Sequence, residues 1–206
     1  MSNISNNQPN ILIKSILAGI FIGIGGTVFL SSPSKIIGAV LFAIGLFAIL
    51  NFKLNLFTGK LCYLPDNKNY IDLILILLGN FIGTFLFAGF MTLSKGIEFR
   101  QLALNMCQAK LSQNWWETII LAAFCNVLIY LAVHGFNHFE NPVNKFFAVL
   151  FGVVVFIMCG FEHSIADMFY FFVAQMFSWE SMKFIFLVII GNLGGGIIAH
   201  LFLGGK

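Results

Sequence analysis

Long apolar runs separated by short polar clusters set the pattern of this chain. No Asp, Glu, Lys or Arg occurs from Ser15 to Ser34, Ile36 to Phe52, Leu73 to Ser94, Thr118 to Phe139, Phe146 to Phe161 or Phe184 to Gly205. A bilayer's hydrocarbon core is about 30 Å thick and takes about 20 mostly apolar residues to cross as a helix. The runs therefore predict six membrane helices, at about 11–31, 36–52, 71–94, 115–135, 145–161 and 183–204. They are continuous, unlike the short alternating segments of a β-barrel. The second and fifth runs are short and lead into apolar extensions, Lys53–Leu64 and Glu162–Phe177, that do not read as soluble loops. Residues 1–10 are polar and uncharged, without the basic start of a signal peptide, so the first run is expected to be a true span. Trp115, Trp116 and Trp179 stand at the starts of spans, where a membrane interface favours them.

Composition narrows the class. Of the 206 residues 59% are hydrophobic and only 9% charged, against about 25% charged in soluble domains. A soluble globule and a disordered chain are both excluded, and four Cys are too few for a disulfide scaffold. Cys125 and Cys159 fall within spans and are expected to be buried thiols. Charge does not orient the chain. With the N-terminus inside, Lys14, Lys60, Lys68, Lys145 and Lys206 face Lys35, Lys95, Arg100, Lys110 and Lys183 across the membrane, a tie under the positive-inside rule. The net charge of +3 is spread over both sides, so no nucleic-acid patch is expected.

The chain repeats itself. Ala39-Val40-Leu41-Phe42 returns as Ala148-Val149-Leu150-Phe151, and Gly79-Asn80-Phe81-Ile82-Gly83 is echoed by Gly191-Asn192-Leu193-Gly194-Gly195. Two matches in one order at nearly one spacing suggest two three-helix halves, about 11–94 and 115–204, within one transmembrane domain over 11–206. Three helices per half force the second half to enter upside down, an inverted repeat of the kind found in transporters and channels. The short second helix of each half runs into a polar break, at Asn51–Gly59 and Gly160–Asp167. Irregular backbone at membrane depth persists only where protein or a water-filled cavity satisfies it. The Asn of each Gly-Asn pair, Asn80 and Asn192, is expected to bond across helices or tie down a break, while the glycines serve close packing.

The candidate chemistry lies in the breaks. His163, flanked by Glu162, Ser164 and Asp167, is costly at the centre of a membrane segment unless it is used. Its unperturbed pKa near 6.5 suits a pore-lining proton donor. Glu162 is expected to point away from the pore and tether the break or a neighbouring subunit. Thr58 reads as the counterpart of His163 in the first half, offering one hydroxyl to a passing solute. His134, His138 and His200 lie on different spans with no metal-ligand spacing, so no metal and no cofactor is expected. Some of the 26 Phe would form dry constrictions that block bare ions.

With these features set out, the chain resembles the formate/nitrite transporter family. The resemblance is carried by Leu56-Phe57-Thr58-Gly59, Gly79-Asn80-Phe81-Ile82-Gly83, Cys125-Asn126, Gly160-Phe161-Glu162-His163-Ser164-Ile165-Ala166 with Met168-Phe169, and Gly191-Asn192. It implies an all-α, aquaporin-like protomer with helices two and five broken, in a homopentamer in the cell's inner membrane, both termini cytoplasmic. It implies a pore in each protomer for small monovalent anions of weak acids: formate, nitrite, hydrosulfide, acetate or lactate. By motif position Thr58 and His163 would form the central polar site, supported by Asn126. Phe42, Leu46 and Phe57 would line one constriction and Phe156 the other, and Lys145 would draw anions into a vestibule.

The sequence departs from the family in three places. The usual N-terminal amphipathic helix is not recognisable in residues 1–10. Lys53-Leu54-Asn55 replaces a Gly-Ala-acid triplet, which brings Lys53 beside the pore. Asp167 stands where Asn is common. The expected mechanism follows from desolvation. An anion nearing a dry centre binds a proton more readily, and His163, directly or through water, would donate one. The alternative is an aquaporin-like neutral-solute channel, but neither break holds an Asn-Pro-Ala triplet. An intramembrane enzyme would need a nucleophile or metal partner for Glu162, His163 and Asp167, and none is in view, so no catalytic role is expected.

Overall fold

The structure is a computed structural model that describes residues 8–204. The polar N-terminal segment lies outside this range except for its last three residues, and so does Lys206. All regular structure among the described residues is helical: α1 (Gln8–Ser31), α2 (Lys35–Asn51), α3 (Phe57–Leu61), α4 (Leu64–Asn67), α5 (Tyr70–Leu111), α6 (Trp115–His138), α7 (Pro142–Met158), α8 (Ser164–Ala174) and α9 (Trp179–Leu203). The polar clusters between the runs act as caps. Ser34 accepts from the Ile37 N–H to start α2, Asn69 from Asp72 to start α5, and Ser178 from Ser181 to start α9. Asn114 and Glu117 form a reciprocal capping box on α6, and Asn141 followed by Pro142 opens α7.

Four helices are long and apolar enough to cross a membrane: Asn10–Ser31 of α1, α5, α6 and α9. The other two expected spans are divided, each into a 17-residue helix (α2, α7) and a shorter one beyond a break (α3, α8). The third run does not stop where its charges begin. Helix α5 turns at Gly96, whose φ of 73° favours a residue without a side chain, and continues as helix to Leu111. Residues 97–111, read from the sequence as connection, instead lie along α8, where Arg100 Nε donates to the Ala174 carbonyl at 3.4 Å. Charged and amide residues here are helix formers on an exposed face rather than loop residues.

Helices α1, α2 and α5 pack together, as do α6, α7 and α9, and α2 meets α7 between the groups. The paired glycines set the closest approaches. A Cβ on Gly83 would overlap the Ile16 carbonyl of α1, and one on Gly195 the Ala123 carbonyl of α6.

Both breaks open with the same turn. Leu54 N–H reaches back to the Ile49 carbonyl, and Phe161 N–H to the Phe156 carbonyl, each at 2.9 Å. This is a Schellman ending, which needs a left-handed residue just past the helix. Lys53 fills that place in the first break (φ 52°) and Gly160 in the second (φ 70°).

Candidate functional site at the junction of the two breaks

Each break is held by one buried amide. Asn80 accepts from the Phe57 N–H at 2.8 Å and donates to the Ser15 and Asn55 carbonyls at 2.7 and 2.9 Å. Asn192 accepts from the Ser164 N–H at 3.0 Å and donates to the Ala122 and Glu162 carbonyls at 2.8 and 2.9 Å. At each site two backbone groups of the break are thereby satisfied, and the third bond, to Ser15 of α1 or Ala122 of α6, ties the break to a continuous helix. In this shared register Leu56, not Thr58, occupies the place of His163, so the two polar residues are spatial neighbours rather than repeat equivalents.

They meet directly. Thr58 Oγ1 lies 2.9 Å from His163 Nε2, and both side chains are buried. His163 also caps α8, since its Nδ1 accepts from the Ala166 N–H at 3.2 Å. A backbone N–H can only donate, so Nδ1 carries no proton in this arrangement. The neutral ring then bears its hydrogen on Nε2, which faces the Thr58 hydroxyl. Asn126 supports Thr58 from α6, donating to the Thr58 carbonyl at 3.3 Å and to Cys62 Sγ at 3.4 Å.

Aromatic rings border this point. The Phe156 ring stacks on His163 with centroids 5.7 Å apart, and Phe42 meets Phe156 edge-on at 6.0 Å. Phe42, Leu46, Phe57 and Phe156 are all buried in one apolar cluster. Phe57 is buried, and Leu46 lines a cavity of about 490 Å³ with Lys53, Lys60, Tyr63 and His138. Lys53 is exposed there, and Lys145 lies over the Phe136 ring of the same cavity wall at 5.7 Å.

Other placements differ from expectation. Lys110, counted as a surface cation, forms ion pairs with both Glu162 and Asp167, the latter at 2.9 Å. Glu162 receives a second hydrogen bond from the Gln113 amide at 2.7 Å, so its carboxylate is tied to the end of α5 within the same chain. Sequence reading missed Lys110 and Gln113 because both lie beyond the Gly96 turn; two acids seeking a cation were the only signal. His134, His138 and His200 come together near one end of the bundle. The rings of His134 and His138 stack at 3.9 Å, Tyr130 contacts both His134 and His200, and His200 pairs with Asp66 at 3.0 Å. Among the described residues no three His, Cys, Asp or Glu side chains converge as metal ligands would. Cys125 is buried as expected, but Cys159 is exposed at the end of α7.

Comparison with known proteins fits this arrangement. The "Formate-nitrite transporter" of Plasmodium falciparum is 26% identical over 93% of this chain and 76% of its own length. A solved "FNT family ion channel" superposes with a TM-score of 0.86 at 22% identity, over 97% of this chain and 90% of its own. A solved "Pentameric formate channel with formate bound" gives 0.81 at 22% identity, over 98% and 96%. The sequence model described as "Formate/nitrite transporter" matches residues 1–203. With its four helices of membrane-crossing length, this multi-pass membrane protein belongs to the formate/nitrite transporter family.

Proposed function

We propose that each protomer holds a pore for small monovalent anions of weak acids, of the formate, nitrite or hydrosulfide class, with acetate and lactate as further candidates. The observation that carries this reading is the buried Thr58–His163 contact, which joins the two breaks beside the Phe42–Phe156 pair. An anion leaving the cavity that holds Lys53 and Lys60 would lose hydration on entering this apolar stretch. Nε2–H of His163 and the Thr58 hydroxyl offer it hydrogen bonds, and α8 directs its positive N-terminal end to the same point. A proton relayed from bulk water to the anion, with the His163 ring staying neutral and its Nε2–H donating a hydrogen bond, lets the neutral acid cross. Lys145 adds positive charge to the approach, and Asn126 keeps Thr58 in place.

The architecture in this proposal is one aquaporin-like transmembrane domain of two inverted three-helix repeats, with Asn80 and Asn192 as the matched supports of its breaks. Phe42, Leu46 and Phe57 form one constriction beside the polar point and Phe156 forms the other. Five such protomers assemble in the inner membrane with both termini in the cytoplasm, by analogy with the pentameric formate channel.

Proteoliposome flux with formate, nitrite, hydrosulfide, acetate and lactate at two pH values tests the reading. Uptake of at least one of these anions is expected, and His163→Asn is expected to slow it by an order of magnitude or more while the oligomer persists. Glycerol or water permeation without uptake of any weak-acid anion would overturn it, and unchanged flux in His163→Asn would remove His163 from the mechanism.

A further inference from the structure

Glu162, next to His163 in the chain, and Asp167 belong to an enclosed and unequal set of charges. Lys110 from α5 faces Glu162 and Asp167, and both carboxyl side chains are at most 2% exposed. The other titratable side chains directed at the set are Cys107 on α5, Cys125 on α6 and Tyr170 on α8. Thiols and phenols are uncharged at neutral pH. His163, held as a hydrogen-bond acceptor at Nδ1 by Ala166, brings no positive charge either. One ammonium and two carboxylates leave a net charge of −1 in an apolar interior, where an uncompensated ion is expensive.

The hydrogen bonds show where the imbalance is relieved. Both oxygens of Glu162 accept from donors, one from the Lys110 ammonium and one from the Gln113 amide. The orientation of that amide is fixed in turn by the Thr118 hydroxyl, which donates to Gln113 Oε1 at 3.2 Å. Asp167 is different: Oδ1 accepts from Lys110, while Oδ2 is buried and has no partner. Ser164 Oγ, one helical turn earlier on the same α8 face, is also buried and without a partner.

We infer that the Lys110–Glu162–Asp167 cluster is a proton-binding site, with one proton resident on Asp167 Oδ2 at neutral pH. The proton balances the cluster to zero: Lys110 positive, Glu162 negative, Asp167 neutral. An anion at the Thr58–His163 contact then has no uncompensated negative charge on the residues flanking His163. That consequence rests on the proposed anion passage; the protonation itself does not.

Infrared spectroscopy of the full-length protein in lipid tests it without any transport measurement, so failure here and failure of the proposed function are distinguishable. No other Asp or Glu among the described residues is buried, so a protonated-carboxyl carbonyl band at neutral pH would report this cluster. The wild type is expected to show one such band, shifted by carbon-13 labelling of Asp and not by labelling of Glu. Asp167→Asn is expected to lose it. Glu162→Gln is expected to lose it as well, because Lys110 and Asp167 then form a neutral pair with no need of the proton. Absence of the band in the wild type, or its movement on Glu labelling, would overturn the assignment. A band retained in folded Glu162→Gln protein would overturn the charge-balance account. The labelling arm needs no variant to fold.

Discussion

At Lys53 and at Gly160 the chain leaves a 17-residue helix by the same left-handed turn, and Asn80 and Asn192 then clasp the extended strand through the same two backbone groups. The side chains that follow have little in common. The first break carries Thr58, supported by the neutral Asn126, and opens onto a cavity with Lys53 and Lys60. The second carries His163 and encloses three ionisable groups, Lys110, Glu162 and Asp167. The two breaks therefore share their backbone support and differ in the chemistry of their side chains. Amides suit the shared task because one Asn both donates and accepts, so it satisfies either kind of backbone group without bringing charge.

Removing the unshared part should cost most. Lys110→Met leaves two carboxyl groups without their cation and is expected to destabilise the protein by about 3–5 kcal/mol. The first break has no equivalent of this loss, and denaturant unfolding in detergent or lipid would measure it. Next come the shared clasps. Asn80→Ala and Asn192→Ala each leave two backbone groups of a break without their partner and cut the bond to α1 or α6, and are expected to cost about 2–3 kcal/mol apiece, by the same unfolding measurement. A cost several-fold larger at one site would show that the two breaks are not supported alike. The smallest effect lies at the turn itself. Lys53→Gly relieves a left-handed side-chain conformation and is expected to stabilise by about 1 kcal/mol, while Gly160→Ala is expected to lose about 1–2 kcal/mol. A destabilised Lys53→Gly protein would mean that the lysine's contacts outweigh its backbone strain.

Much of this was legible in the sequence, for reasons that also mark the limit. Gaps between charges locate α1, α6 and α9 because a charged residue in hydrocarbon is costly and is kept to helix ends or enclosed. The same logic exposed the breaks at Lys53 and at Glu162–Asp167, where charges interrupt otherwise apolar stretches. It failed at 97–111, since a polar segment that folds back against the bundle has the composition of a loop. Lys110 was lost with it. The pairing of Phe42 with Phe156 and the approach of His200 to Tyr130 are products of helix packing, whereas His134 and His138, expected on different spans, share α6 at i and i+4 and could have been paired from the sequence. The clasps were half visible: the Asn residues stood out, but their partners are carbonyls of Ser15, Asn55, Ala122 and Glu162, which any residue type could supply.

The turn at Gly96 ties the order of synthesis to the order of assembly. Lys110 leaves the ribosome 52 residues before Glu162, and its counter-charges belong to a helix pair not yet made. Until that pair arrives, an ammonium on the tip of α5 is better placed in water or among lipid headgroups than inside the bundle. The Lys110 ion pairs thus join a segment made early to a break made late.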